Sequence, residues 1–225
     1  HPEVPGRWQY YGVSLPFWRS YDKEDPRREF FYYDYTGDAK RDDQSDYGFH
    51  YMVPEEGVTV VPNDTTKYMQ NVATMKYTYD MISDAYYDGR TICIFRLSDV
   101  ILCKAEIENN LNGPAAALPY LNQIRARAGA PEYGKHNRFP APSTKEAMND
   151  AILKERGYEL VFEFQRRADL IRFGKYEEVV NAHLKKLGIA QPTNVTSSLR
   201  YFPYPLNDAQ LNPNLAAENP SRLPK

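Results

Sequence analysis

The sequence predicts a mainly α fold, in which tetratricopeptide-like helical hairpins pack with a loop-rich segment that contains short strands. Three observations predict it. Apolar residues recur at helical spacing from residue 96 to residue 188. Two of the predicted helices form a hairpin of about 34 residues, the length of a tetratricopeptide unit. Six prolines and a polar, turn-rich stretch at 42–48 interrupt the first 90 residues, where regular helix signals are weak.

The predicted hairpin begins after residue 96. Its first helix has Glu106 and Glu108 on the polar side, and its apolar positions are Leu97, Val100, Ile101, Ala105 and Ile107. Turn formers at 110–113 end it, and Pro114 suits the first position of the next helix because no hydrogen bond is lost there with the missing N–H. The second helix has one apolar stripe, made by Ala117, Leu121, Ile124 and Ala128.

A long helix is predicted after the Gly/Pro loop at 129–142. Ser143 or Thr144 can cap it, and its apolar face continues to Gly174. A shorter helix follows and ends at Gly188. We therefore predict one region over 1–225, with a loop-rich and aromatic-rich part at 1–90, a helical part at 91–188 and an extended C-terminal tail at 189–225.

Composition is that of a globular protein. The 225 residues are enough to bury a core, and 42% hydrophobic and 26% charged residues are ordinary proportions. No apolar run approaches the ~20 residues of a membrane span, and the first residues lack the pattern of a signal peptide. Residues 1–90 carry a net charge of −6 and the rest +4, with no basic stripe. We expect no nucleic-acid partner.

Aromatic residues concentrate in the first part of the chain. Residues 1–90 contain 19 of the 31 aromatic residues, and 13 of those 19 are Tyr. Tyr and Trp combine a flat apolar face with a polar group, so an aromatic-rich irregular segment indicates a ligand surface. The alternative, that a given Tyr fills the core of a loop-rich region, stays open.

Catalytic and metal-binding patterns are missing from the sequence. Cys93 and Cys103 match neither zinc spacing nor a redox motif, and we expect two buried thiols, although a disulfide is not excluded. The four His are scattered, so we predict no metal site and no cofactor. Loop carboxylates at 42–46 could bind calcium, but we expect them to be solvated. No nucleophile, zinc-protease or phosphate-loop motif occurs, and we predict no enzyme activity.

The charged segment at 152–172, ILKERGYELVFEFQRRADLIR, has two interpretations. Glu155 and Glu159, one helical turn apart, could be the acid and base of a glycoside hydrolase. We favour a structural network of ion pairs, because nearby Arg side chains would hold both carboxylates ionised. Its predicted members are Arg125, Arg127, Glu155, Arg156, Glu159, Glu163, Arg166, Asp169 and Arg172. No residue is predicted to be catalytic.

Five blocks in order resemble the C-terminal part of the SusD/RagB family of outer-membrane nutrient-binding lipoproteins. They are FRLSDVILCKAE at 95–106, LNQIRARAG at 121–129, the charged segment at 152–172, YFPYP at 201–205, and NPNL at 212–215 with a second Asn-Pro at 219–220. A further motif of the family is similar to the segment YDKEDPR at 21–27. Phe164 departs from the pattern, because the family often has Gly there, and so does Ala168, where an aromatic residue is common.

The resemblance implies non-catalytic capture of a glycan, or less often a peptide, at the cell surface. It also implies delivery to a SusC-like TonB-dependent transporter. Family members are usually about twice this length and begin with a lipidated Cys, so the chain resembles a C-terminal portion. The only membrane attachment expected is a lipid anchor upstream of this chain, at the outer membrane. A tetratricopeptide-type adaptor that binds only protein is the alternative.

Ligand contacts are expected where flat and polar groups mix in the first part of the chain. Sugar rings stack on Trp and Tyr while neighbouring polar groups bond the hydroxyls. The candidates are Trp8, Tyr10, Tyr11, Trp18, Arg19 and Tyr21.

Overall fold

The computed structural model describes residues 12–32, 34–40, 46–52, 66–68, 71–74, 76, 93–186 and 202–218. Helices account for most of this structure, and the predicted mainly α fold is confirmed. The chain forms two compact units. The strand unit comprises 1–96 and 118–141, and the helical unit comprises 97–117 and 142–225. The predicted division at residues 90 and 188 stays a prediction.

The first sheet of the strand unit has the order β1-β6-β2, with both pairs antiparallel. Its strands are β1 Val13–Ser14, β2 Phe31–Tyr32 and β6 Asn71–Thr74. Helix α1, Leu15–Arg19, and a 3₁₀ turn, Pro26–Phe30, connect β1 to β2. The core of this part is small and aromatic, and its buried side chains are Val13, Trp18, Tyr21, Phe31 and Val72.

A second sheet in the same unit has the order β3-β4-β5. β3, Asp34–Lys40, pairs antiparallel with β4, Asp46–Met52, over seven residues. β5, Thr66–Tyr68, pairs parallel with β4. The short strands that the first part of the sequence predicts are therefore present in both sheets.

The loop after α3, Pro114–Ala128, is held by side chains of that helix. Asn122 bonds both the N–H and the C=O of Tyr133, each at 2.9 Å. The buried Arg125 donates through Nε to the Pro131 carbonyl, and its guanidinium lies 4.9 Å from the ring centre of Tyr133 and 4.7 Å from that of Phe139. The loop is thus fixed by a cation that lies close to two rings, which also contact each other.

The helical unit is organised around α2, Leu97–Asn112, which packs mainly against α4, Lys145–Glu159. Thr144 caps α4, since its hydroxyl accepts the Ala147 N–H at 3.1 Å. The remaining helices are α5 Arg166–Arg172, α6 Tyr176–Lys186, α7 Leu206–Leu211 and α8 Pro213–Glu218. Two of them, α7 and α8, lie in the segment predicted as an extended tail. Within the described residues, no helix combines the length and apolar character that crossing a bilayer requires.

The prediction of one continuous helix from residue 144 to residue 174 is wrong. A turn at 160–165 separates α4 from α5, and both Phe162 (φ 62°) and Phe164 (φ 60°) adopt left-handed backbone conformations. A helix cannot continue through such residues. The apolar face continues in sequence, but it belongs to two helices.

The predicted core face of α2 is also partly wrong. Four of its large aliphatic residues are exposed, namely Leu97, Val100, Ile107 and Leu111. The buried face consists instead of Ser98, Asp99, Leu102, Ala105 and Asn109. Asn109 is fully buried, and its Nδ2 donates to the Lys145 carbonyl and to Asn149 Oδ1, each at 2.8 Å. Polar residues therefore form much of the contact between α2 and α4.

We predict that truncating two aliphatic side chains of α2 reduces the free energy of unfolding by unequal amounts. Leu102 is 0% exposed and Ile107 is 55% exposed. Leu102→Ala should reduce the free energy of unfolding by about 2–5 kcal/mol, because it leaves a cavity. Ile107→Ala should change it by no more than about 0.5 kcal/mol. Chemical denaturation of both variants tests this, and equal losses would contradict the observed orientation of α2.

Candidate functional site

The predicted ligand residues fall into two groups. Trp8, Tyr10 and Tyr11 lie outside the described residues. Trp18, Arg19 and Tyr21 lie on α1 and just after it, in the strand unit.

Trp18 and Tyr21 are interior residues. Trp18 is 5% exposed, and the guanidinium of Arg28 lies 4.0 Å from its ring centre. Tyr21 is 2% exposed and makes edge contacts with Phe17 and Phe31, with both pairs of ring centres 5.6 Å apart. Such packing gives both side chains a structural role. Their role as ligand contacts stays a prediction, as does that of the half-buried Arg19.

A buried ion pair shapes the turn beside these rings. Asp25 Oδ1 accepts from the backbone N–H and the Nε of Arg27, each at 3.0 Å, and Oδ2 accepts from Nη2 at 2.7 Å. Both side chains are buried. Gly129 lies close by, and a Cβ there would be 3.2 Å from Pro26 Cγ. The Asp-Pro-Arg step that resembles the family is therefore a rigid turn.

A surface cluster of charges joins this turn to the loop after α3. Arg138 Nη1 lies 3.1 Å from Asp22 Oδ2, and Nη2 lies 2.6 Å from Glu24 Oε1. His136 Nε2 lies 3.4 Å from the other oxygen of Glu24. Exposed pairs of this kind contribute little to stability because water and salt screen them.

In the helical unit, Arg156 of α4 forms ion pairs with residues of α2 and α5, and we call this three-helix contact the Arg156 junction. Its Nη1 lies 2.7 Å from Asp99 Oδ1 on α2, and its Nε lies 2.8 Å from Asp169 Oδ2 on α5. Burial alone would lower the pKa of Arg156, but the hydrogen bonds and charges of Asp169 and Asp99 outweigh it and raise that pKa. The guanidinium therefore stays charged although it is 3% exposed.

Two further arginines of α5 complete this arrangement. Arg172 Nη2 lies 3.1 Å from Asp169 Oδ1, and Nη1 pairs with Glu106 of α2. Arg166 Nη1 donates to the Leu153 carbonyl at 2.8 Å, and burial lowers the pKa of its guanidinium. A Cβ at position 157 would lie 3.0 Å from Arg166 Nη1, so Gly157 gives this side chain its space.

The structure thus brings together three residues of the predicted network, Arg156, Asp169 and Arg172. It adds Asp99 and Glu106, which the sequence analysis missed. The sequence signal that could have identified them is their separation of seven residues on α2, which places both on one face of that helix. The roles of the other predicted members stay predictions, although Glu155, Glu159, Glu163 and Arg125 are all buried and Arg127 is exposed.

Acid–base chemistry and metal binding find no support in these side chains. Glu155 is 1% exposed and Glu159 is 3% exposed, which leaves neither carboxylate a surface for a saccharide. Among the described residues, no three His, Cys, Asp or Glu side chains are grouped closely enough to hold a metal ion. Three carboxylates of the helical unit, those of Asp99, Glu106 and Asp169, bind arginines instead.

The chain belongs to the SusD family, whose model matches residues 10–221. The resemblance seen in the motifs is therefore confirmed.

Relatives and solved structures are similar over parts of the chain. SusD-like protein P25 of Formosa agariphila is 39% identical over 120 residues, which are 53% of this chain and 22% of that protein. The starch-binding protein SusD of Bacteroides thetaiotaomicron is 28% identical over 60% of this chain and 22% of its own length. The structural match to NanU of B. fragilis covers 89% of this chain and 37% of the NanU chain, with 18% identity and a TM-score of 0.46. The chain thus matches about a fifth of the length of these two curated relatives.

We predict that removing Arg156 destabilises the helical unit. Arg156→Ala should cost about 3–5 kcal/mol, because it leaves buried Asp99 and Asp169 without their shared cation. Lys154→Ala, at an exposed position of the same helix, should cost no more than about 0.5 kcal/mol. Denaturant titration of both variants gives the comparison. Similar losses of unfolding free energy in the two variants would show that the packing of α2, α4 and α5 does not depend on Arg156.

We predict slow alkylation of Cys103. Burial raises the pKa of its thiol, the charge of Arg156 opposes this shift only in part, and Arg156 Nη1 donates to the sulfur at 3.6 Å. At pH 8 less thiolate is present than at an ordinary Cys, so iodoacetamide should modify Cys103 more slowly than Cys93. Its rate should rise as the pH approaches the raised pKa. Mass spectrometry measures both rates, and denatured protein is the control, in which they should converge. Faster reaction of Cys103 in the folded chain would refute the prediction.

Proposed function

We propose that the protein binds a glycan at the cell surface and passes it, unchanged, to a SusC-like TonB-dependent transporter. Membership of the SusD family over residues 10–221 carries this proposal. The similarity to a relative named as a starch-binding protein supports a saccharide ligand. Attachment to the outer membrane through the lipid anchor that the family implies is part of the same proposal.

The absence of catalysis is proposed on physical grounds as well. A general acid or base must reach the atom it protonates or deprotonates. Glu155 and Glu159, the carboxylate pair that the sequence offers, are almost completely buried. We therefore assign them to the interior of the helical unit.

Among the predicted ligand residues, we propose Trp8, Tyr10 and Tyr11 as the first contacts to test. The packing of Trp18 and Tyr21 against Arg28, Phe17 and Phe31 already uses much of their surface. A ligand contact there would need part of this cluster to open, and that opening would reduce affinity.

We predict retention of the protein in native gels that contain a polysaccharide, chosen from soluble starch, xylan, galactomannan and alginate. Trp8→Ala should weaken the best affinity about tenfold and leave the melting temperature unchanged, since one stacking ring is lost. Trp18→Ala is the matched variant and should lower the melting temperature, because its ring is buried.

The outcomes distinguish a wrong choice of contact residues from a wrong function. Unchanged retention of Trp8→Ala would exclude Trp8 as a contact while leaving glycan binding in place. No retention of the wild-type chain on any of the four polysaccharides would count against the function itself.

A protein-binding adaptor is the second candidate. The exposed apolar face of α2, with Leu97, Val100 and Ile107, favours it, because large aliphatic side chains at helical spacing are typical of helix-in-groove contacts. This candidate requires that no polysaccharide retards the chain, so the same gels distinguish the two.

A further inference from the structure

We propose that four side chains on the surface of the strand unit, those of Asp22, Glu24, His136 and Arg138, form a binding site for a neutral glycan. We call these four residues the Arg138 cluster. The proposal rests on the proposed function and names a site and a ligand class for it. None of the four is among the ligand residues that the sequence predicts.

Arg138 holds both carboxylates of the cluster. Its guanidinium pairs with both oxygens of Asp22, with Nη1 3.1 Å from Oδ2 and Nη2 3.2 Å from Oδ1, and Nη2 also lies 2.6 Å from Glu24 Oε1. His136 accepts the backbone N–H of Arg138 at Nδ1, so the neutral ring carries its proton on Nε2, which lies 3.4 Å from Glu24 Oε2. Their mutual contacts therefore keep the four side chains together.

The polar groups of the cluster are accessible to solvent. The side chain of Glu24 is 59% exposed and that of Arg138 is 47% exposed. A carboxylate offers about four acceptor positions, and the contacts of Glu24 with Arg138 and His136 use one position on each oxygen. Glu24 can therefore accept hydrogen bonds from the hydroxyls of a ligand while it stays paired.

Aromatic rings lie beside these polar groups. The ring centres of His136 and Phe139 are 5.9 Å apart, and Phe139 makes an edge contact with Tyr133 at 5.6 Å. All three side chains are half-buried. Partly exposed rings next to donors and acceptors suit a sugar, because its C–H faces stack on rings and its hydroxyls need hydrogen-bond partners.

The backbone on both sides of the cluster is fixed by buried contacts. In the loop after α3, the buried Arg125 donates to a backbone carbonyl and lies close to the rings of Tyr133 and Phe139. On the other side, the turn at 25–27, which has a buried ion pair of its own, follows Glu24 directly. A site on such fixed segments loses little conformational freedom when a ligand binds.

The cluster itself adds little to the stability of the strand unit. Its ion pairs are exposed, and water and salt screen pairs of this kind. The loop is already held by the buried contacts of Arg125. Exposed charges that converge on one place, beside rings and on a fixed backbone, are therefore better explained by contact with a ligand than by a need for stability.

The charges of the cluster favour a neutral ligand. Two carboxylates, those of Asp22 and Glu24, accompany the one guanidinium of Arg138. An anionic polysaccharide or a nucleic acid would bring its own negative charges against these carboxylates. A neutral saccharide avoids this repulsion, and its hydroxyls can donate to Glu24 and accept from Arg138. We therefore expect starch or galactomannan, which are neutral, to bind in preference to alginate, which carries carboxylates.

The test compares polysaccharide affinity and melting temperature among variants of the whole chain. Arg138→Ala and Glu24→Gln should each weaken affinity about tenfold for the polysaccharide that retards the wild-type chain most. Both should keep the melting temperature within about 2 °C, because the pairs they remove are exposed. Lys135→Ala is the matched control, since it removes another exposed ion pair of the same loop, with Glu132, and it should leave affinity unchanged.

Chemical labelling locates the contact in the unmutated chain. A carbodiimide with an amine modifies exposed carboxylates, and mass spectrometry measures the extent of modification at each residue. Asp150 of α4 is the reference for Glu24, because its side chain is 60% exposed and is also paired with a cation. Saturating polysaccharide should reduce the modification of Glu24 and leave that of Asp150 unchanged. Undiminished modification of Glu24 would overturn the proposed site.

Failure of the site differs from failure of the function. If a polysaccharide retards the wild-type chain while Arg138→Ala and Glu24→Gln bind it as tightly, the glycan site lies elsewhere and the proposed function stands. If Lys135→Ala weakens binding equally, the loss comes from the loop as a whole and the proposal is overturned. A preference for alginate would overturn the neutral ligand class. If none of the four polysaccharides retards the wild-type chain, both proposals fall.

Discussion

The buried contact of Arg156 with Asp99 and Asp169 is the constraint on which the helical unit depends. Moving a charged side chain out of water costs several kcal/mol, and good geometry with opposite charges must offset that cost. Arg156 lies on α4, and its two carboxylates come from α2 and α5. All three helices must therefore be positioned together before Arg156 has both of its carboxylate partners. Arg172 extends the junction to Glu106 through the second oxygen of Asp169.

The strand unit satisfies its buried cations in two other ways. Arg27 pairs with Asp25 two residues away, within one turn. Arg125 uses the Pro131 carbonyl and two aromatic rings. Most of these arginines and their carboxylates lie in the blocks that carry the family resemblance. These blocks therefore include the residues that hold the fold together.

Sequence predicted those features that depend on local periodicity. The bounds of α2 and α3 follow from apolar spacing, Gly113 and Pro114, and the cap at Thr144 follows from its side chain. The turn at 160–165 could not be predicted from periodicity, because Phe rarely adopts positive φ. The available signal was the resemblance, in which Gly is common at the position of Phe164. Asp99 was missed because its partner is chosen by three-helix packing, which one sequence does not specify.

The same distinction applies to strand register. Alternation of Tyr47, Phe49 and Tyr51 is visible in the sequence, but the pairing with β3, which places Gly37 and Ala39 opposite two of them, is not. Replacing one member of the Arg156 junction leaves a buried charge uncompensated, so that junction tolerates little change.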